Sequence, residues 1–353
     1  MAGGKGERFW PLSNETRPKQ LLSLIDNRSM LQLTMDRIIS LIPPKNIVIV
    51  AGDNLRQPIL EHCPELSEEN ILCEPFGRNT CLAIGYTAIN LRRRDPEAIM
   101  VVLSADHLIQ PVNKLVNVIK AGTKVASENS KLITIGIVPT RAETGYGYIE
   151  LSDDHWDADG ITVYHVAAFN EKPRPSVAQQ YYLDRRHLWN SGMFIWSVKA
   201  ILEALEKHMP EMYELLLEYE AHIGKSDEEE ACVSLYREAE PISIDYAVLE
   251  EADNVLVLKA DFIWDDIGSW MALQRFMEAD GDNNICVGQV AAMDSYENTL
   301  YNVNGGLVAV LGVSDLVVAR VGEIVMVAHK TKLDRLKDFL ATMSEKEELK
   351  KFL

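Results

Sequence analysis

Cysteine is scarce in this 353-residue chain and follows no pairing pattern. The five cysteines are odd in number and scattered without CxxC spacing, which argues against a disulfide framework and against a zinc site. We therefore expect reduced cysteines, most of them in the core. Long apolar runs are also missing, and the N-terminus lacks the charged-then-apolar pattern of a signal peptide. These absences predict a cytoplasmic protein with no membrane partner.

Basic charge is in short supply as well. The chain has 35 Lys and Arg against 53 Asp and Glu, a formal net charge of −18. So acidic a surface repels a polyanion, and we expect no nucleic-acid partner. A small anionic substrate would need a local basic cluster set against this field, which directs attention to the places where Lys and Arg stand beside Gly.

Apolar runs of strand length alternate with amphipathic segments through the first 140 residues. The runs NIVIV (46–50) and IMVVL (99–103) are typical of strands buried on both faces of a parallel sheet. Ser29 is placed to cap a helix that stops at Pro43 and Pro44, and residues 79–91 indicate another helix. Strand, helix, strand in this order predicts an α/β fold with a doubly wound, Rossmann-like mixed sheet.

The remaining two thirds of the chain divide into three stretches. Strand signals dominate 145–200 and helical signals 199–251, a region that we interpret as a lid inserted or appended over the ligand-binding edge of the sheet. The turn-rich DGDNN stretch (280–284) is the best boundary. We therefore predict a catalytic domain over 1–280 and a small C-terminal β domain over 281–353.

Glycines and cations crowd the first eight residues, at Gly3, Gly4, Lys5, Gly6 and Arg8. Such glycines let backbone N–H groups approach an anion, and the cations add charge. A dinucleotide-binding GxGxxG would need glycine where Phe9 stands, and a P-loop would need Gly-Lys where Arg8 and Phe9 stand, so both motifs fail. A flexible N-terminus followed by a surface lysine is the alternative without function.

Further motifs favour a phosphate loop over that alternative. The opening string continues through Pro11, Leu12 and Ser13 to a Pro-Lys pair that ends at Lys19. EPFGRNT, LSADH, ETGYGYIE, FNEKP, WNSGMFIW and WDDIGSW then follow at 74–80, 103–107, 143–150, 169–173, 189–196 and 264–270. Over nearly its whole length the chain thus resembles the sugar-phosphate nucleotidyltransferases. EPFGRNT and WDDIGSW resemble the mannose-1-phosphate guanylyltransferase branch more than the glucose/thymidine branch.

The resemblance implies a role for each matching residue. It implies catalytic roles for Arg8, Lys19 and Lys172, and Mg²⁺ ligands at Asp106 and Asp266. It implies a nucleotide-binding set at Gly3, Gly4, Lys5, Gly6, Glu74, Arg78, Asn79 and Ser104. It implies a sugar-binding set at Tyr146, Gly147, Glu171, Asn190 and Gly192.

Several of these residues also have structural interpretations. Asp106 follows an apolar strand, where a carboxylate is either a ligand group or a helix N-cap. Asp265 and Asp266 are by themselves compatible with an ordinary turn, and only the resemblance selects Asp266 as a metal ligand. Glu171 and Lys172 are adjacent on a predicted strand, so we expect them on opposite faces rather than simply paired, although a solvated surface pair is the alternative. The tryptophans of the motifs, Trp189, Trp196, Trp264 and Trp270, fit core packing better than stacking.

The reaction implied is mannose 1-phosphate plus GTP giving GDP-mannose and pyrophosphate. The alternatives are a sibling enzyme with another nucleotide or sugar phosphate, such as a glucose-1-phosphate thymidylyltransferase, and a non-catalytic nucleotide-sugar sensor. The resemblance also implies a homodimer and a tail like a fragment of left-handed β-helix. We expect a monofunctional enzyme without the isomerase module of some longer relatives. Because only Met1 and Ala2 precede the glycine loop, we also expect the native chain to begin upstream, and the strand position beside 99–103 to be left unfilled.

Overall fold

A computed structural model of the chain describes residues 1–4 and 6–353. They form two compact units. The larger unit comprises residues 1–3, 35–105 and 109–264, and the smaller unit comprises residues 4–34, 106–108 and 265–353. The segment that carries the opening loop thus belongs with the tail of the chain, a grouping that a boundary at residue 280 does not anticipate. Within the described ranges, no helix is long and apolar enough to span a bilayer.

The larger unit is an α/β assembly. Its strands are β1 (Ile49–Gly52), β2 (Ile71–Glu74), β3 (Ile99–Val102), β5 (Leu132–Ile137), β6 (Tyr148–Ala158), β7 (Ile161–Asn170), β8 (His187–Ser197) and β9 (Val255–Ala260). Its helices are α2 (Arg56–His62), α3 (Asn79–Arg94), α4 (Val112–Glu128), α5 (Pro175–Asp184), α6 (Val198–His208), α7 (Pro210–Glu220) and α8 (Glu228–Glu238). Three elements contain residues of both units, namely α1 (Met30–Ile38), β4 (Leu108–Gln110) and β10 (Ile263–Asp265).

A six-stranded mixed sheet in the order β3-β8-β5-β9-β7-β6 forms the centre of the larger unit. The β5–β9 pair is parallel and the neighbouring pairs are antiparallel. The lid interpretation of 145–251 is therefore wrong, because β8 lies inside the sheet between β3 and β5. Nine of the eleven β8 residues are buried, as expected for a strand that is covered on both faces of a sheet. Helices α3, α6, α7 and α8 share one apolar core with the sheet.

The first two residues link two separate sheets of the larger unit. Strands β1 and β2 form a parallel pair of their own. The amide of Ala2 donates to the carbonyl of Val50 at 2.9 Å, and the amide of Ala105 donates to the carbonyl of Met1 at 3.0 Å. The Met1 ammonium donates to the carbonyl of Leu103 at 2.8 Å. Two residues thus stand between β1 and the end of β3.

Most local sequence signals are confirmed, with shifted boundaries. Helix α1 begins after Ser29, whose hydroxyl accepts from the amide of Gln32 at 3.2 Å, while the Gln32 side chain accepts from the amide of Ser29 at 2.9 Å. This reciprocal pair is a capping box. Strand β3 begins at Ile99 as expected, whereas β1 begins only at Ile49, because residues 44–46 form a short 3₁₀ turn.

The smaller unit stacks short strands in coils. It contains β11 (Ile285–Val287), β12 (Val290–Met293), β13 (Thr299–Val303), β14 (Val308–Leu311), β15 (Leu316–Val321), β16 (Ile324–His329) and α9 (Leu336–Ser344). Thr299 pairs in parallel with Val317, and Val290 with Val308, each 18 residues further along. This repeat is the β-helix feature that irregular glycine spacing obscured. Its apolar core also includes Phe9 and Trp270, which is why the segment carrying the opening loop packs with the tail.

Candidate active site

The opening loop owes its shape to two glycines with left-handed backbone. Gly4 has φ 103° and Gly6 has φ 64°, values that other residues adopt only under strain. A Cβ on Gly6 would also stand 2.7 Å from the amide nitrogen of Lys19. The hydroxyl of Ser13 donates to the carbonyl of Gly6 at 2.6 Å and holds the loop in place. Lys5, which the sequence assigns to this loop, lies outside the described residues.

Lys19 is the buried cation of the smaller unit. Its ammonium donates to Asp106 Oδ2 at 2.8 Å and also to the backbone carbonyl of Asp266. The lysine is only 8% exposed. Burial by itself would raise the pKa of Asp106, but the charges of Lys19 and His107 outweigh it and hold that pKa below its usual value. Asp106 is therefore an anion at neutral pH, and residues from three distant segments meet here.

Asp265 and Asp266 have different surroundings although they are neighbours. Asp265 is 1% exposed, and both of its oxygens accept from the Arg275 guanidinium, at 2.7 and 2.8 Å. Its Oδ1 also accepts from the amide of Ile267. Ile267 has φ 42°, which is strained for a β-branched residue. Asp265 thus holds the strained turn, and Asp266 Oδ1 accepts from the amide of Gly268 at 3.1 Å.

Arg8 contributes an exposed positive charge to the same unit. Its side chain is exposed, and it makes no hydrogen bond or ion pair with the residues that the structure describes. A Cβ on Gly268 would stand 3.3 Å from its Nη1 and 2.8 Å from Asp266 Oδ2, so Arg8 and Asp266 converge on that glycine. Arg8 also lines a cavity of about 900 Å³, bordered further by Gly6, Glu7, Ser269, Met271, Lys330, Thr331, Leu333, Asp334 and Lys337.

The donor set around Lys19 fits a hard divalent cation. Asp106 and Asp266 offer carboxylate oxygens, the ligands that Mg²⁺ prefers. Across residues 1–4 and 6–353, no three His, Cys, Asp or Glu side chains cluster as a complete protein cage.

The predicted nucleotide-binding residues of the larger unit lie around the start of α3. Glu74 is buried and accepts from the Tyr236 hydroxyl at 3.2 Å, and burial raises its pKa. A Cβ on Gly3 would stand 3.5 Å from Glu74 Oε2. Arg78 lies over the Phe76 ring and donates to the backbone carbonyl of Tyr236 at 2.6 Å. The guanidinium of Arg78 is thus already held by the end of α8.

Asn79 and Ser104 are the two remaining residues of the predicted nucleotide-binding set. Asn79 begins α3 with φ 67°, and its side-chain oxygen accepts from the amide of Thr80 at 2.9 Å. Ser104 is half-buried just after β3. Both lie at the carboxyl ends of strands or at a helix start, where α/β sheets bind ligands.

Glu171 and Lys172 are not on opposite faces, which corrects the sequence expectation. Strand β7 ends at Asn170, and Lys172 adopts a left-handed backbone with φ 48°. The alternation of a strand therefore stops before the pair, and Lys172 Nζ lies 2.9 Å from Glu171 Oε1. Within the described part of the chain, Glu171 Oε2 is buried and has no hydrogen-bond partner. The ion pair with Glu171 raises the pKa of Lys172 although burial opposes it.

Asn190 sits among the predicted sugar-binding residues. Its backbone N–H donates to the carbonyl of Gly147 at 2.8 Å, and its side-chain oxygen accepts from the backbone N–H of Gly192 at 3.3 Å. Gly192 has φ 67°. A Cβ on Gly147 would collide with Glu171 Oε2 and stand 3.3 Å from Asn190 Cβ. The glycine thus leaves room for the carboxylate beside the amide.

Asp245 is a functional candidate that sequence reasoning missed. It begins a single π-helical turn, Asp245–Leu249, and accepts from Asn190 Nδ2 at 2.7 Å. Burial and the charge of Glu171 raise its pKa to about 6. The only sequence signal was an acidic residue in an apolar run, ISIDYAVL, and a π turn has no sequence signature of its own.

Tyr146 belongs to an aromatic cluster. Its ring meets Trp189 and Trp264 edge-on, at centroid distances of 5.2 and 4.9 Å, and its hydroxyl accepts from Arg141 at 3.3 Å. Trp189, Trp196, Trp264 and Trp270 are all buried, which confirms that they pack in the core. Tyr146 therefore stiffens the turn that presents Gly147.

Comparison with known proteins identifies the family of this chain. Residues 1–283 match the nucleotidyl transferase family, and residues 288–342 match the MannoseP isomerase/GMP-like beta-helix domain. Alginate biosynthesis protein AlgA of Pseudomonas syringae pv. tomato is 34% identical over 98% of this chain and 71% of its own length. Mannose-1-phosphate guanylyltransferase RfbM of Salmonella typhimurium is 36% identical over 96% of this chain and 70% of its own.

A solved structure agrees over almost the whole chain. The crystal structure from Thermus thermophilus described as a mannose-1-phosphate geranyltransferase has a TM-score of 0.85 and 32% identity, and the match covers 98% of both chains. Fold, motifs and relatives lead to one conclusion: this chain is a member of the nucleotidyl transferase family, with a β-helix domain of the MannoseP isomerase/GMP type after its transferase domain.

Proposed function

We propose that the chain transfers GMP from GTP to mannose 1-phosphate, giving GDP-mannose and pyrophosphate. The observation that carries this proposal is the cluster in which Lys19 contacts both Asp106 and Asp266, with Arg8 beside Gly268. Cations and carboxylates in one cluster suit a reaction that joins two polyanions. The choice of guanosine and mannose follows the relatives that are named for this reaction.

The chain's own groups supply electrostatic catalysis in this scheme. An oxygen of the sugar phosphate attacks the α-phosphorus in line, and the bond to the departing pyrophosphate breaks on the opposite side. No general base is needed, since a phosphate oxygen is already anionic near neutral pH. Arg8 and Lys19 stabilise the charge that grows on the leaving group, and N–H groups of the glycine loop bind the triphosphate. Lys172 positions the attacking phosphate.

Asp106 and Asp266 would hold Mg²⁺, whose chemistry is to neutralise the α-phosphate and orient the reactants. The charges of Lys19 and His107 hold the pKa of Asp106 below its usual value against the effect of burial. Asp265 fixes the turn that carries Asp266 through its two bonds to Arg275.

The test is turnover with pyrophosphate detection across the four common NTPs and several sugar 1-phosphates. We expect the highest kcat/KM with GTP and mannose 1-phosphate. A higher kcat/KM for dTTP with glucose 1-phosphate would identify a sibling activity instead. Binding without turnover of any pair would identify a non-catalytic sensor and refute the proposal.

We also propose a homodimer formed through the β-helix domain. Its support is a set of apolar side chains exposed on the smaller unit, at Met293, Leu311, Val325 and Val327. Light scattering coupled to size exclusion would give twice the 39.7 kDa chain mass, and a monomer at micromolar concentration would refute this part.

A further inference from the structure

The surroundings of Asn190 include a residue that the family resemblance does not assign to the sugar-binding set. Two carboxylates, Glu171 and Asp245, stand near this one amide. The Asn190 side chain is locked from several directions, since its oxygen accepts from the Thr134 hydroxyl at 3.1 Å and its nitrogen donates to Asp245 Oδ1 at 2.7 Å. The amide is therefore a fixed bridge rather than an adaptable ligand group.

Glu171 has an acceptor that nothing in the described chain satisfies. Its side chain is 10% exposed, its Oε1 binds Lys172, and its Oε2 is buried without a hydrogen bond. A buried acceptor without a hydrogen bond is unfavourable, so its persistence calls for a ligand that donates to it. The room for this oxygen exists only because residue 147 is glycine.

Asp245 places a second carboxylate beside Asn190. Its negative charge is unfavourable beside Glu171 and in a partly buried place, as the raised pKa indicates. Asn190 supplies one donor to Asp245, and Lys172 supplies a positive charge to Glu171. The remaining carboxylate oxygens can accept from ligand hydroxyls, each of which donates one hydrogen bond without adding charge. A π-helical turn, which interrupts regular helix and recurs at functional sites, presents Asp245.

We propose that Asp245 is a specificity-determining residue that acts with Glu171 as a carboxylate pair accepting hydrogen bonds from neighbouring hydroxyls of the sugar ring. This inference rests on the proposed function and adds a sugar-reading residue to it. A site built to accept from a hydroxyl rejects the analogue that lacks it far more strongly than an apolar pocket does, since the acceptor is then left unpaired. The pair thus selects the hydroxyl pattern, while Lys172 holds the phosphate.

The alternative is that Asp245 acts only by orienting Asn190. The two roles predict different responses to deoxygenated substrates. A direct acceptor loses its effect when one particular hydroxyl is removed, whereas an indirect role weakens the binding of every analogue by a similar factor. Thr134→Val provides the matched comparison, because it removes an Asn190 anchor without touching either carboxylate.

The experiment is calorimetric titration of the full chain with mannose 1-phosphate and its 2-, 3-, 4- and 6-deoxy analogues. Titrations are run with Mg²⁺ alone and with Mg²⁺ plus a non-hydrolysable GTP analogue. The variants are Asp245→Asn, Thr134→Val and, as a control, Asp253→Asn, whose side chain is 85% exposed. In the parent, at least one deoxygenation should raise Kd about tenfold or more, the size expected for a hydrogen bond to a charged group.

In Asp245→Asn that same deoxygenation should raise Kd less than about threefold, while Asp253→Asn keeps the parent pattern. A uniform rise for all five ligands in Asp245→Asn, matching Thr134→Val, would overturn the proposal. So would failure of the parent to bind any of the ligands under either condition. Binding is measured here without turnover. A chain that binds and discriminates these sugars but does not turn over GTP would therefore refute the proposed function and would still support the carboxylate pair.

Discussion

Asp265 and Asp266 are adjacent carboxylates with different predicted effects on substitution. Replacing Asp265 by asparagine should lower stability, whereas replacing Asp266 by asparagine should lower turnover. Asp265 is buried and binds Arg275 through both oxygens, so Asp265→Asn leaves a guanidinium short of its partner. Breaking a fully buried pair costs about 3 to 5 kcal/mol. The Arg275 side chain is 34% exposed, and water compensates part of the loss. We therefore expect a cost of about 2 to 3 kcal/mol.

That cost translates into a measurable melting shift. For a chain of 353 residues each kcal/mol lowers Tm by roughly 1 to 2 °C, so Asp265→Asn should lower Tm by about 2 to 6 °C. Turnover measured well below the transition should stay within about threefold of the parent, because an asparagine oxygen at position 265 can still accept from the amide of Ile267 and keep the turn that carries Asp266.

Asp266→Asn should do the reverse. Losing a metal carboxylate should lower kcat at least about 100-fold, equivalent to roughly 2.7 kcal/mol of transition-state stabilisation. Its Tm should stay within about 1 °C of the parent. Asp338→Asn is the matched control in the same unit, since its side chain is 77% exposed and its ion pair spans 4.0 Å; neither readout should change.

The assays are calorimetric melting and pyrophosphate release at saturating Mg²⁺ and substrates. Parent-like turnover in Asp266→Asn would remove that residue from the metal site. An unchanged Tm in Asp265→Asn would mean that the ion pair with Arg275 does not stabilise the turn.

Three further predictions use other residues of the two units. Gly147→Ala should push the Glu171 carboxylate aside and raise the Kd for mannose 1-phosphate about tenfold or more. The control is Gly145→Ala, in which the new Cβ would meet only a side-chain oxygen at 3.4 Å. This variant should bind mannose 1-phosphate like the parent in the same titration. Lys172→Ala should raise KM for the sugar phosphate more than for GTP, and Arg8→Ala should chiefly lower kcat; the opposite steady-state pattern would exchange their roles. Asp245 has a folded-state pKa raised to about 6 from 3.8 by burial and a neighbouring carboxylate, so its contribution to stability is full below about pH 4 and is lost as pH rises through 6. The Tm of Asp245→Asn relative to the parent should therefore be higher at pH 7.5 than at pH 4.5, and a pH-independent difference would contradict the assigned pKa.

Local chemistry along the chain was enough to predict much of this protein. The Ser29 cap, the IMVVL strand and the buried tryptophans follow from side-chain types and short-range periodicity, because capping and burial depend on a residue and its near neighbours. The glycine loop followed from the same logic, since only glycine adopts the backbone of Gly4 and Gly6 without strain. The family followed from motif order.

Tertiary structure alone decided which distant groups meet. Nothing local indicates that Lys19 binds Asp106 and Asp266, which lie 160 residues apart in the chain, or that the segment with the opening loop shares a core with the β-helix. Long-range pairing depends on how buried surfaces fit together, and periodicity carries no information about that. The left-handed backbone of Lys172 and the π turn at Asp245 are likewise imposed by packing, because neither residue type favours them. Alternation therefore misled the sequence analysis at Glu171, and the acidic partner of Asn190 became visible only in three dimensions.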